Sequence, residues 1–182
     1  MATVHRTTMA PTKLELLAAW LPRQPWYSGD DAPELSWAGG FRLDDPAGEV
    51  GLEYALVSDG ATVYSVPMTY RGAPLAGAEA GLLGTSEHGV LGTRWIYDAE
   101  HDPVAVAQLL AFVAGETEAQ DRSRSDTPDP TVGRTWTGEG RPEQVAWVRT
   151  LPGEEDPAPG RVEVTWTRPD GSTERGTVAI VR

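Results

Sequence analysis

The chain has 182 residues, with 27 acidic side chains against 15 basic ones, a formal net charge of −12 and no cysteine. The acidic balance excludes a cationic nucleic-acid surface and disfavours anionic membranes as partners. The missing cysteines exclude disulfides, thiol nucleophiles and cysteine metal ligands. The length suits one ordinary domain or two small ones, and we expect a soluble cytoplasmic protein without a signal peptide or membrane span.

The first predicted element is a short amphipathic helix over residues 13–21. Thr12 and Glu15 have the spacing of a capping box, in which each side chain bonds the other residue's backbone N–H. Pro22 is expected to end the helix. Its apolar face is predicted to contain Leu14, Leu17, Ala18 and Leu21.

Three strands are predicted next, over residues 37–43, 50–57 and 62–70. An Asp-Gly pair at 59–60 indicates a hairpin turn between the second and third strands. In the third strand, alternation places Tyr64, Val66, Met68 and Tyr70 on the predicted core face. Pro67 cannot donate a hydrogen bond, so this strand is predicted to lie at an edge or to contain a bulge.

Residues 71–92 are rich in glycine and alanine and are interpreted as surface loop. The spacing of the glycines fits no phosphate-binding fingerprint. A strand follows over 92–97. Asp102 and Pro103 then predict the N-cap and first position of a second helix, which extends toward Gln120. Its buried face is expected to contain Val106, Leu109, Leu110 and Val113.

After a polar stretch at 121–130, the pattern indicates only strands, over residues 144–151, 161–168 and 173–181. Pro-Asp-Gly-Ser at 169–172 predicts the hairpin turn between the last two. We therefore divide the chain into an α+β domain over residues 1–125 and a β-rich segment over 126–182. That segment either completes the same sheet or forms a small second subdomain.

The parts of an ATP-dependent kinase are missing from the pattern. Lys13 is the only lysine, and it lies on the first helix, away from any glycine-rich loop. The chain has no asparagine to hold magnesium and no G-x-x-x-x-G-K motif. The sequence therefore predicts a protein that is not a complete kinase, with no catalytic residues and no cofactor.

His101 is the best acid–base candidate, because Asp98 and Asp102 flank it and could tune its pKa. The favoured interpretation is a solvated helix-entry loop. His5 and His88 have no metal-ligand spacing. The acidic runs at 44–45 and 154–156 are interpreted as solvated charge, and no metal site is predicted.

Trp26 and Tyr27 lie in a loop rich in proline and glycine. Two large rings there indicate either a surface for stacking a sugar or docking a partner, or a lid that folds back on the core. The lid is favoured, because exposed apolar rings are costly.

Three segments carry a family resemblance. Residues 20–29 (WLPRQPWYSG) are similar to an opening L-P-x-Q-R-W-[FY]-A-G-K. Residues 64–75 (YSVPMTYRGAPL) are similar to a Y-x-V-P-L-x-Y that follows a D-G hairpin. With residues 91–104 (LGTRWIYDAEHDPV), they resemble, in order and spacing, the N-terminal cap domain of actinobacterial maltokinases and aminosugar kinases over about residues 12–130. Pro25 stands where the family has Arg, and Asp30 stands near a usual Lys.

The resemblance implies a cystatin-like arrangement, with a helix on a curved, mainly antiparallel sheet, followed here by the β-rich segment. It implies a stand-alone, non-catalytic module that binds a sugar kinase or α-glucan enzyme in trans, or a glycan, in α-glucan, maltose or trehalose metabolism. The alternatives are a kinase relic, or a small enzyme with a pocket at Tyr64, Arg94, Asp98 and His101. The candidate binding residues are Trp26, Tyr27, Tyr70, Arg71, Arg94, Asp98 and His101.

Overall fold

The computed structural model describes residues 8–153 and 156–182. Within them the chain is α+β, with two short α-helices, a strongly curled antiparallel sheet and a second, smaller antiparallel sheet. This confirms the predicted fold class. None of the described helices is long and apolar enough to cross a membrane.

The strands of the large sheet are β1 (Met9–Ala10), β2 (Leu35–Leu43), β3 (Gly51–Asp59), β4 (Thr62–Arg71), β5 (Leu82–His88), β6 (Gly92–Asp98), β7 (Gln120–Asp121) and β10 (Thr150–Leu151). They follow the order β1-β5-β6-β4-β3-β2-β7, and β10 pairs with part of β4. The sheet is therefore built mainly from the N-terminal two thirds of the chain.

Helix α1 (Lys13–Trp20) starts with the predicted capping box, and a 3₁₀ turn (Leu21–Arg23) extends it. Thr12 Oγ1 accepts from Glu15 N at 3.3 Å, and Thr12 N donates to Glu15 Oε2 at 2.7 Å. The predicted apolar face was partly wrong: Leu16, Leu17, Trp20 and Leu21 are buried, whereas Leu14 and Ala18 are only half-buried. Trp20 and Leu16 therefore belong to the helix face that packs on the sheet.

The β3–β4 hairpin confirms the Asp-Gly turn, since Asp59 pairs with Thr62 and Gly60 has a φ of +55°. The prediction that β4 lies at an edge was wrong, because β4 lies between β3 and β6. The missing donor of Pro67 is nevertheless accommodated. On that side of β4, β10 pairs with residues 63–64 and β6 with 68–71, so Pro67 faces the gap between them.

Strand β5 lies in the segment that was interpreted as loop. It pairs with β6 through a register shift at Gly84, whose φ of +154° no other residue adopts easily. An added Cβ at Gly84 would also lie 2.9 Å from Leu16, so the glycine lets α1 approach the sheet closely.

Helix α2 (Pro103–Val113) begins as predicted, with Asp102 Oδ1 accepting from Val104 N at 3.0 Å. It does not continue toward Gln120, because Gly115 at a φ of +85° ends it. Leu109 and Val113 are buried as expected, together with Ala105, Ala111 and Phe112, whereas Val106 and Leu110 are half-buried.

The second sheet has the order β8-β11-β12-β9, formed by β8 (Gly133–Trp136), β9 (Val145–Trp147), β11 (Gly160–Thr167) and β12 (Thr173–Val181). β8 was not predicted, and the predicted strand at 144–151 divides into β9 and β10. The β11–β12 turn forms as predicted, with Gly171 at a φ of +84°. The domain boundary at residue 125 stays a prediction, although β10 carries the later segment back to the large sheet.

The large sheet is covered on both faces. On one face, α1 packs over Ala55, Val57, Val66 and Ile96. On the other face, α2 and the second sheet enclose a larger core that includes Phe41, Leu56, Leu109, Val162 and Trp166. Only the core face of β4 was predicted; the opposite face is buried too, because the later strands cover it.

Candidate functional site

Arg149, just before β10, forms the centre of a buried charged cluster on the α1 face. Its Nη2 donates to Asp98 Oδ2 and to Glu100 Oε2, both at 2.7 Å. The guanidinium carbon lies 5.2 Å from the ring centroid of Trp26. The Arg149 side chain is 8% exposed and that of Asp98 is 5% exposed, so this ion pair lies in the protein interior. We call Arg149, Asp98, Glu100 and Trp26 the Arg149 cluster.

Within the Arg149 cluster, the carboxylate of Asp98 is buried away from water, and its polar partners offset only part of the cost of that desolvation. Burial raises the pKa of Asp98 above its ordinary value. The Arg149 guanidinium and the Glu100 N–H, which donates to Asp98 Oδ1 at 3.3 Å, counteract part of this shift. The backbone of Arg149 is fixed as well, since its carbonyl accepts from Ser65 N at 2.9 Å. Asp98 is therefore a charged group that depends on Arg149.

The rings of Trp26 and Tyr27 fold back on the core, which was the favoured interpretation of this loop. The Trp26 ring centroid lies 5.8 Å from that of Trp20 and 6.1 Å from that of Tyr64. The Tyr27 hydroxyl donates to Asp59 Oδ2 at 2.5 Å, and burial together with Asp59 raises the pKa of Tyr27 well above its ordinary value. The loop that carries Trp26 and Tyr27, which we call the aromatic loop, is thus held on the sheet by aromatic contacts and a charge-assisted hydrogen bond.

Glu53 forms a second buried cluster at the opposite part of the α1 face. Its Oε2 accepts from Lys13 Nζ and from the Tyr70 hydroxyl, the latter at 2.8 Å, and its Oε1 lies 3.5 Å from Arg122 Nη1. Burial by itself raises the pKa of Glu53, but the Lys13 ammonium, the Tyr70 hydroxyl and Arg122 outweigh it and hold that pKa below its ordinary value. We call Glu53, Lys13, Tyr70 and Arg122 the Glu53 cluster.

Arg71 joins the end of β4 to the start of α2. Its Nε and Nη2 donate to the two carboxylate oxygens of Asp102, each at 2.7 Å. Asp102 also caps α2 and is fully buried. Burial raises the pKa of Asp102, but Arg71 and the Val104 N–H outweigh it and lower that pKa. The bidentate pair therefore locks the helix to the sheet.

Arg94 and His101 lie apart from these clusters. Arg94 Nη2 donates to the Leu91 carbonyl in the β5–β6 hairpin. His101 is exposed, and its imidazole lies over Gly81, where an added Cβ would be 2.5 Å from Cδ2. The hydrogen bonds of Asp98 go to Arg149 and Glu100. The structure thus brings Trp26 and Asp98 together through Arg149, and the binding role of the candidate residues stays a prediction.

Asp45 differs from the solvated charge that the sequence indicated. It is buried, and its carboxylate accepts from Ala47 N, Glu49 N and Val50 N at 2.9–3.0 Å. It therefore orders the turn before β3. Residues 154–155 of the second acidic run, and His5, lie outside the described residues. The described ranges contain no group of three or more His, Asp or Glu side chains placed to hold a metal ion.

Two central residues, Arg149 and Glu53, were missed from the sequence. Glu53 could have been noticed as a charge within an otherwise apolar strand, flanked by Leu52 and Tyr54. Arg149 lies far from Asp98 in sequence, and no local pattern reveals a partner at such separation. Chemically, the two clusters present paired charges that stabilise the fold and position the aromatic loop.

Residues 20–102 match the family model described as the maltokinase N-terminal cap domain. The match includes β2 to β6, the aromatic loop, Asp98 and the Arg71–Asp102 pair. It ends before α2, Arg149 and the second sheet.

Proposed function

We propose, from the match of residues 20–102 to the maltokinase N-terminal cap domain, that the chain acts as a non-catalytic accessory module in α-glucan, maltose or trehalose metabolism. Its principal partner is a sugar kinase or α-glucan enzyme bound in trans, and a glycan is the alternative ligand. The match to the cap domain is the observation that carries the proposal.

The charged side chains of the α1 face disfavour a catalytic role. Asp98 pairs with Arg149, and Glu53 pairs with Lys13. A general acid or base needs a carboxylate or imidazole that reaches substrate, whereas these carboxylates are buried and hydrogen-bonded inside the fold. The only lysine, Lys13, is half-buried and pairs with Glu53.

The β5–β6 hairpin supplies the surface for a protein partner. Val90 and Leu91 are 63% and 44% exposed, and they are the large hydrophobic residues that the described part of the chain leaves exposed. Both lie within the cap-domain match. Val90 N and Leu91 N donate to His88 Nδ1, and Leu91 O accepts from Arg94, so the tip is ordered. A small, ordered apolar tip is suited to insert into a partner's pocket.

Catalysis is tested by measuring ADP release from the purified full chain with ATP, magnesium and maltose, beside a complete maltokinase as positive control. We expect no ADP release that depends on maltose. Maltose-dependent ADP release by the chain alone would overturn the non-catalytic assignment and favour an enzyme.

Partner binding is tested with the immobilised full chain in native lysate. We expect it to capture a sugar-phosphorylating or α-glucan enzyme, and the double variant Val90→Ser/Leu91→Ser to lose that capture. The matched control is Thr165→Ser/Thr167→Ser, because both threonines are exposed on β11, outside the matched region. If no such enzyme is recovered and no glycan binds, the accessory role is wrong. Equal capture by both variants would exclude the hairpin as the contact.

A further inference from the structure

A shallow groove of about 360 Å³ lies at one end of the second sheet, outside the region that matches the cap domain. Its volume is at the lower end of the roughly 300–1,000 Å³ of small-ligand sites. It is formed by the end of β8, the loop that leads to β9, and the residue after β12. The lining side chains are Trp136, Glu139, Arg141, Glu143, Gln144 and Arg182.

Trp136 is held in place as the flat, apolar surface of this groove. Its Nε1 donates to the Gly140 carbonyl at 3.0 Å. An added Cβ at Gly138 would lie 2.5 Å from Cζ2, and one at Gly160 would lie 2.7 Å from Cε3. The two glycines therefore allow the backbone to lie directly against the indole. The ring remains half-exposed in a fixed orientation.

The rim around Trp136 carries both hydrogen-bond donors and acceptors. Arg141 Nη2 pairs with Glu116 at 2.7 Å, and Arg182 Nη2 pairs with Asp156 at 2.6 Å, so each arginine is oriented and its charge is balanced. The exposed side chains of Glu139, Glu143 and Gln144 make no hydrogen bond or ion pair within residues 8–153 and 156–182. They add acceptors, and the amide adds donors.

This combination selects for a neutral ligand rich in hydroxyl groups. An anion would be repelled by Glu139 and Glu143, and a simple cation could not accept hydrogen bonds from the rim donors of the two arginines and the Gln144 amide. A hydroxyl both donates and accepts, so it can bond carboxylate, amide and guanidinium in turn. The C–H face of a sugar ring can stack on an indole ring whose one face is exposed to solvent. We propose that the Trp136 groove binds a neutral saccharide.

The proposal deepens the glycan alternative of the proposed function and rests on it for the choice of glucans as probes. The ADP and capture experiments do not involve the groove, so their failure and the failure of this site are distinguishable. The shallow shape predicts weak binding, with a dissociation constant of about 1 mM or somewhat below.

The test is a titration of the isotope-labelled full chain with maltotriose, cellotriose or tetramethylammonium, followed by nuclear magnetic resonance. The Trp136 indole N–H signal is assigned from its loss in Trp136→Phe, whose remaining spectrum reports that the fold is intact. We expect a saturable shift of this signal with at least one trisaccharide and none with the cation.

The double variant Glu143→Ala/Gln144→Ala should weaken trisaccharide binding about tenfold, as expected for one to two lost hydrogen bonds. Glu49→Ala is the control, since this exposed glutamate lies before β3 and away from the groove. Binding that is unchanged in the double variant, or binding of tetramethylammonium alone, would overturn the saccharide assignment. Absence of any shift with all three probes would also overturn it.

Discussion

The two faces of the large sheet are covered in different ways. On the α2 face, a helix and a second sheet bury a continuous apolar core around Leu109 and Trp166. On the α1 face, the helix has only eight residues and is about 12 Å long. Here the aromatic loop and two buried ion-pair clusters, centred on Arg149 and Glu53, complete the cover.

The difference shows that, where a helix is too short to cover the sheet, other parts of the chain must cover the rest. Apart from the Arg71–Asp102 pair at the start of α2, apolar burial on the α2 face should give stability that hardly depends on pH. The charged clusters on the α1 face must instead compensate desolvation with precise pairing, so their contribution depends on protonation. The following predictions test this contrast.

Arg149→Met should have the largest effect and lower the free energy of unfolding by about 4 kcal/mol near neutral pH, because Asp98 remains buried without its partner. Burial already raises the pKa of Asp98, and removal of Arg149 raises it further. Protonation relieves the unpaired charge, so the deficit should shrink as the pH falls. Urea denaturation at several pH values measures this.

The control for that prediction is the double variant Arg149→Met/Asp98→Asn, which should recover most of the lost stability by removing the unpaired charge. A deficit that is the same at every pH, or no recovery in the double variant, would contradict the proposed role of the pair.

Leu109→Ala probes the apolar α2 face and should cost about 3 kcal/mol, since Leu109 is fully buried and the change leaves a cavity. The same denaturation series should give an almost constant deficit at every pH. If the loss of unfolding free energy in Leu109→Ala changed with pH as strongly as that in Arg149→Met, the two faces would not differ in the pH dependence of their stability.

Lys13→Met should cost about 2 kcal/mol near neutral pH, because Glu53 loses its closest cation but keeps Tyr70 and Arg122. The depressed pKa of Glu53 contributes stability that is present above the ordinary glutamate value and is lost as the pH falls through the folded value. The difference between wild type and variant should therefore narrow toward acidic pH. In a Glu53→Gln background, Lys13→Met should cost much less; an equal cost would contradict the coupling.

Tyr27→Phe should have the smallest effect, about 1 kcal/mol, through loss of the hydrogen bond to Asp59 while the ring stays packed. A loss of the same size in an Asp59→Asn background would show that the Tyr27 hydroxyl acts without Asp59. A double-mutant cycle from thermal unfolding therefore decides whether this bond holds the aromatic loop.

The elements that were predicted well depend on neighbours in sequence. The Thr12–Glu15 box, the Asp102–Pro103 start of α2 and the Gly60 turn each form contacts within a few residues. β5 was missed because the surrounding segment, residues 71–92, has the glycine-rich composition of a loop, although Gly84 is required in β5 by a register shift and by the approach of Leu16. The edge position assigned from Pro67 was wrong because two separate strands share one side of β4.

For the candidate site too, residues in local motifs could be identified from the sequence, whereas a partner distant along the chain could not. The family resemblance directed attention to Trp26, Tyr70, Arg71 and Asp98, all of which contact charged or aromatic partners in the structure. It did not reveal Arg149, whose contact with Asp98 spans about fifty residues.

By itself, the sequence determined the α+β class, the helix starts, the hairpin turns and the resemblance of residues 20–102 to the cap domain, because these depend on local backbone preferences and on ordered motifs. Only the tertiary structure decided that both faces of the sheet are buried, that Asp98 depends on Arg149 and that Trp136 lies in a groove. Burial and ion pairing join residues that are distant along the chain, and their free energies depend on the surroundings that folding creates.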